Sequence, residues 1–161
     1  MTGTNERGYG RPALPNIGLQ PTAADAILSG RVTNPAGEAM GGVTVSAGTL
    51  AATSDTALGS GTVTVTAGTL DLTGASITNA VSITGGTITG GTINVGSGAT
   101  VDVQAGTISS AITGQGGLTK TGNGTANLNT ANDFSGGVTV GGGTLNVGDN
   151  AALGTGALTV N

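Results

Sequence analysis

Residues Gly116 to Val147 read GGLTKTGNGTANLNTANDFSGGVTVGGGTLNV, and the closing phrase, VTVGGGTL at 138 to 145, recurs through much of the chain before it. It stands as VTVSAGTL from Val43, VTVTAGTL from Val63, VSITGGTI from Val81 and VDVQAGTI from Val101. Each copy is an apolar–polar–apolar triplet, two spacers, then Gly-Thr and an aliphatic. The Gly of each Gly-Thr falls at 48, 68, 86, 106, 124 and 143, with spacings of 20, 18, 20, 18 and 19 residues. So short a unit cannot bury its own apolar face, and neighbouring units must stack.

On strands, alternation places Val43, Val45, Val63, Val65, Val81, Ile83, Val101, Val103, Val138 and Val140 on one face, turned inward. Leu50, Leu70, Leu72, Ile88, Ile108, Leu145 and Val147 follow a bend and are expected inward as well. The bend carries a recurrent glycine because only glycine takes positive φ without steric cost. Gly48, Gly68, Gly86, Gly106, Gly124 and Gly143 are therefore the expected corner residues. With 33 glycines and no sustained helical period, the chain reads as all-β. The predicted fold is a parallel β-helix, a β-solenoid with rungs of about 18–20 residues.

A longer echo overlies the short one. Asn34 to Val65 aligns without gaps on Asn129 to Val160, identical at 16 of 32 positions. Residues 27–161 form the expected repeat domain. Residues 1–26 differ, holding Arg7, Arg11 and three of the four prolines, and are read as a disordered N-terminal leader.

Composition excludes several functions. One Lys, three Arg, one Tyr and one Phe provide neither a basic stripe nor a stacking platform, so no nucleic-acid partner is expected. The absence of Cys and His removes thiol and imidazole chemistry and their metal sites. No run approaches the ~20 apolar residues of a membrane-spanning helix, and no signal peptide is recognisable at the start. No cofactor is implied.

Gly116 to Val160 closely resembles the passenger-associated strand repeat of bacterial autotransporters. The resemblance rests on Gly117 to Lys120 (GLTK), Gly122 to Thr125 (GNGT), Asn129 to Asn132, Phe134 to Gly137 (FSGG) and Gly143 to Leu145 (GTL), with a weaker copy at 34–65. It implies a right-handed β-helical passenger carried across the outer membrane of a Gram-negative-type bacterium and displayed or released outside. In such a passenger the repeat is structural and aids folding and secretion. The chain is then expected to be one piece of a parent protein that continues into further β-helix and a C-terminal translocator barrel. Open strand edges at its ends are expected to support self-association.

Candidate chemistry is sparse. Asp71 and Asp102, each between inward aliphatics, are expected to face solvent on different legs of the repeat, not to form a paired-carboxylate site. Lys120 is placed in the solvent-facing slot next to Asp102, where a surface ion pair would add under ~1 kcal/mol. Asp133 and Asp149-Asn150 sit in links, where turn chemistry is the alternative to calcium ligation. The threonines Thr49, Thr69, Thr87, Thr107, Thr125 and Thr144 should form an outward column able to meet glycans or ice, although Thr also simply favours exposed strands. The function that follows is a non-enzymatic structural segment of a surface-exposed passenger. The alternatives are an adhesin-type module for glycans or host matrix, and a polysaccharide-active β-helix enzyme, which the distribution of basic residues disfavours.

Overall fold

The computed structural model describes residues 42–161, together with the strand backbone of 17–19 and 26–28. Among the described residues the strands are β1 (Ile17–Leu19), β2 (Ala26–Leu28), β3 (Gly42–Val45), β4 (Thr49–Ala52), β5 (Thr62–Val65), β6 (Thr69–Asp71), β7 (Ser76–Ile77) and β8 (Val81–Ile83). They continue as β9 (Thr87–Val95), β10 (Thr100–Val103), β11 (Gly106–Gly114), β12 (Gly117–Lys120), β13 (Thr125–Leu128), β14 (Val138–Val140), β15 (Thr144–Val147) and β16 (Leu158–Val160). Two eight-stranded parallel sheets result, one in the order β1-β3-β5-β8-β10-β12-β14-β16, the other β15-β13-β11-β9-β6-β4-β2 with β7 joined to β9. Each strand pairs with its counterpart one unit away, as a β-solenoid requires.

The register follows the repeated phrase. Val43 pairs with Val63, Val63 with Val81, Leu50 with Leu70, and Leu70 with Ile88. Stacked aliphatics fill the interior: Val45, Val65, Ile83, Val103, Leu70, Leu72, Ile88, Ile112 and Leu128 are fully buried. Each contributes roughly 1.5–3 kcal/mol when withdrawn from water. Phe134 is buried in the same core.

Two expectations need correction. Strand β1 lies within the segment read as a leader and pairs with β3. The rest of that segment, and the first part of the weaker repeat copy at 34–65, fall outside the described residues. Leu145 is only partly buried and Val147 is 49% exposed, because β15 is the outermost described strand of its sheet.

Where the Gly-Thr spacing loosens, the register shows why. Val103 pairs with Lys120 and Gly106 with Ala126, so the two-residue corner Gln104-Ala105 is matched by five residues, Thr121-Gly122-Asn123-Gly124-Thr125. The corner at Gly124 is therefore wider than those before it. A second irregularity lies between β9 and β11, where Gly90-Gly91 stands opposite the single residue Ser110.

Candidate functional site

Two outward faces carry the polar side chains. On the second sheet Thr49 pairs with Thr69, Thr69 with Thr87, and Thr87 with Thr107, a ladder with the rung spacing of about 4.8 Å. It continues through Asn127 and Asn146, not through Thr125 and Thr144 as the sequence suggested. The extra corner residues displace Thr125, which pairs with Thr144 in a separate exposed position. Asn127 donates to the Thr107 hydroxyl at 3.2 Å, and Asn146 donates to the Asn127 carboxamide oxygen at 2.9 Å.

The first sheet carries a ladder that sequence reading missed: Thr44, Thr64, Ser82, Asp102, Thr119, Thr139 and Thr159. Its signal was the polar middle residue of every apolar triplet. Asp102 accepts hydrogen bonds from the Thr121 hydroxyl at 2.8 Å and the Ser82 hydroxyl at 3.4 Å, so its partners are hydroxyls and not an ammonium. Asp71, on the other sheet, accepts from the Thr73 hydroxyl at 2.6 Å and the Thr73 amide at 2.8 Å. Those two bonds, the hydroxyl's first, hold its carboxyl below the ordinary carboxylate range against a small opposing effect of burial.

Lys120 is the main correction. It is fully buried, with its Nζ donating to the carbonyl oxygens of Thr121 at 2.6 Å, Gly122 at 3.1 Å and Gly142 at 3.1 Å. Alternation explains the position: Leu118 points inward, so Lys120 two residues on must do so too, and Asp102 pairs with Thr119 instead. Other buried polar groups tie rungs together. Asn132 accepts from the Ile112 amide at 2.7 Å and donates to the Ala152 carbonyl at 2.6 Å, while Asn79 donates to the carbonyls of Gly59 and Gly61.

Of the corner glycines, Gly48, Gly68, Gly86, Gly106 and Gly143 have φ of +62°, +73°, +75°, +114° and +67°. In the widened corner Gly122, at +65°, takes the left-handed conformation and Gly124 does not. Asp149 accepts the Ala151 amide at 2.8 Å in a turn beside an open depression of about 450 Å³ lined by Val147, Gly148, Asp149 and Asn150. Among the described residues no three His, Cys, Asp or Glu side chains lie close enough together to hold a metal ion. No helix there is long and apolar enough to cross a membrane, which leaves β-barrel spans unaddressed.

Stacked rungs, an aliphatic interior and outward polar ladders define the class: a parallel β-solenoid built from a short sequence repeat. Over 106 residues the chain is 41% identical to the adhesin BmaC autotransporter of Brucella suis biovar 1 (strain 1330), a match covering 64% of this chain and 3% of that protein. The chain thus spans a small fraction of that relative's length. This similarity to an autotransporter and the β-solenoid fold agree with the resemblance carried by Gly116 to Val160. No protein-family model matches the chain, and no solved structure matches it significantly.

Proposed function

We propose that this chain is a non-enzymatic structural segment of a surface-exposed autotransporter passenger, which spaces and presents other regions and assists the passenger's folding during secretion. The observation that carries this reading is the core of stacked aliphatic side chains inside the solenoid. Every rung supplies a template edge and a matching apolar face for the next, so folding can propagate along the axis. Sequence similarity to an autotransporter adhesin supports the setting, the outer surface of a Gram-negative-type bacterium. The test is deletion of residues 116–160 from a passenger that contains this segment, scored by surface protease accessibility. Display should fall sharply relative to an equal-length deletion outside the repeats, and unchanged display would refute the secretion role.

A second reading is adhesion. It is favoured by the similarity to an adhesin and by the ladder from Thr44 to Thr159, in which Asp102 is the single ionisable group. Such a face suits neutral glycans, bound through many weak hydrogen bonds. Binding on a neutral-glycan array that is lost in Thr64→Ala/Thr119→Ala would establish it. Equal binding by the variant would place adhesion elsewhere.

A further inference from the structure

The column of residues that ends the strands of the first sheet reads Val45, Val65, Ile83, Val103, Lys120, Val140 and Val160. A lysine thus replaces an aliphatic in a packed interior column. Burying an ammonium is costly unless each of its donors is met. Its three N–H groups match the three carbonyls of Thr121, Gly122 and Gly142.

All three oxygens lie in the corners that follow β12 and β14. In an ordinary corner the amides of Thr66 and Ala67 both donate to the Val45 carbonyl, which closes the turn on the preceding rung. The widened corner is bonded to the preceding rung by Thr121 N to Val103 O at 2.9 Å, and to the following rung by Gly141 N to Lys120 O at 2.8 Å and Thr144 N to Gly124 O at 3.1 Å. The carbonyls of Thr121 and Gly122 lie between those anchors and receive no backbone amide. Gly143 leaves the space open: a Cβ there would stand 2.8 Å from Lys120 Nζ, and φ is +67°.

We propose that the carbonyls of Thr121, Gly122 and Gly142 form a site for a small ammonium-type cation, filled by the chain's own Lys120. The occupied site latches the rung of β12–β13 to that of β14–β15, since Thr121 and Gly122 belong to the first and Gly142 to the second. Carbonyl oxygens that replace a cation's hydration shell are a general means of holding monovalent ions. Here the ion is covalently attached, so the latch closes whenever the rungs come into register. The inference goes beyond the structural role proposed above and holds whichever surface the passenger presents.

The experiment is a thermal melt of the full chain, wild type, Lys120→Ala and Lys120→Met, in ammonium, methylammonium, potassium and tetramethylammonium chlorides at equal ionic strength. In tetramethylammonium, which has no N–H donor, both variants should melt well below wild type. Ammonium should restore at least half the loss in Lys120→Ala in a concentration-dependent way. Lys120→Met, whose side chain still occupies the space, should gain far less, and wild type should not distinguish the salts. Rescue by potassium as strong as by ammonium would overturn the assignment to an ammonium-type cation. The proposal is overturned if Lys120→Met melts with wild type, or if Lys120→Ala behaves identically in ammonium and tetramethylammonium. Failure of Lys120→Ala to fold in every salt would count equally against it.

Discussion

A Cβ placed on Gly68 would stand 2.5 Å from the carbonyl oxygen of Gly48 and 2.8 Å from the carbonyl carbon of Ala47, both in the preceding rung. Gly74 has a similar backbone, φ +85°, yet a Cβ there would meet nothing within 4 Å. The pair separates two costs of substitution. Gly74→Ala should lose only the left-handed penalty, roughly 1–2 kcal/mol, whereas Gly68→Ala should lose clearly more because rung stacking is obstructed. Equal shifts in urea-unfolding midpoints would assign the whole effect to φ. At Asp71 the prediction concerns pH. Its carboxyl is held below the unfolded value of 3.8, so its contribution is fully present above that value and is lost as pH falls through the lower folded value. The side chain is only partly buried, so the effect should stay under ~1 kcal/mol. Wild type and Thr73→Val should differ in stability at neutral pH and converge in acid. A constant difference would mean that Thr73 acts through packing and not through the carboxylate.

Strands β9 and β11 form the longest pairing in the solenoid, and it is interrupted where Gly90-Gly91 opposes Ser110. Ser110 is inward-facing and 1% exposed, and its hydroxyl has no hydrogen-bond partner. A buried hydroxyl without a partner carries its desolvation cost uncompensated. Ser110→Ala should therefore leave stability unchanged or raise it by about 1 kcal/mol, read as a higher thermal midpoint. A loss above ~1 kcal/mol would reveal a bonded role for the hydroxyl. The strands themselves were legible wherever Val, Thr and Ile alternate, as at 63–65 and 81–83. Lys120 was legible by the same rule, two residues after Leu118, but equating its slot with that of Asp102 placed it in solvent. The inward reading needs the carbonyls that only the folded corner assembles. Thr125 shows the opposite failure. Its Gly-Thr signature matches the others, and nothing local announces that three more residues have entered its corner.

For the whole molecule, a solenoid's stability is the sum of rungs and their interfaces, so protection against amide exchange should be graded along the axis. Rungs containing β8 to β12 have neighbours on both sides, whereas Val147, Leu158 and Val160 at one end are 49%, 52% and 69% exposed. Hydrogen exchange followed by mass spectrometry should show slow exchange at Val81–Ile83 and Thr100–Val103 and fast exchange at Thr144–Val147 and Leu158–Val160. Uniform protection would indicate one all-or-none unit.

The repeat spacing and the period-two alternation by themselves determined that this chain stacks as parallel rungs around an aliphatic interior, because both are local patterns that each unit states for itself. The absence of His and Cys likewise excluded imidazole and thiol chemistry without any structure. Only the tertiary structure decided which polar side chains share a ladder, that Asn127 and Asn146 follow Thr107, and that Lys120 is enclosed by Thr121, Gly122 and Gly142. Those facts depend on corner length. Corner length sets how residues some twenty positions apart come into register, and no single rung contains that information.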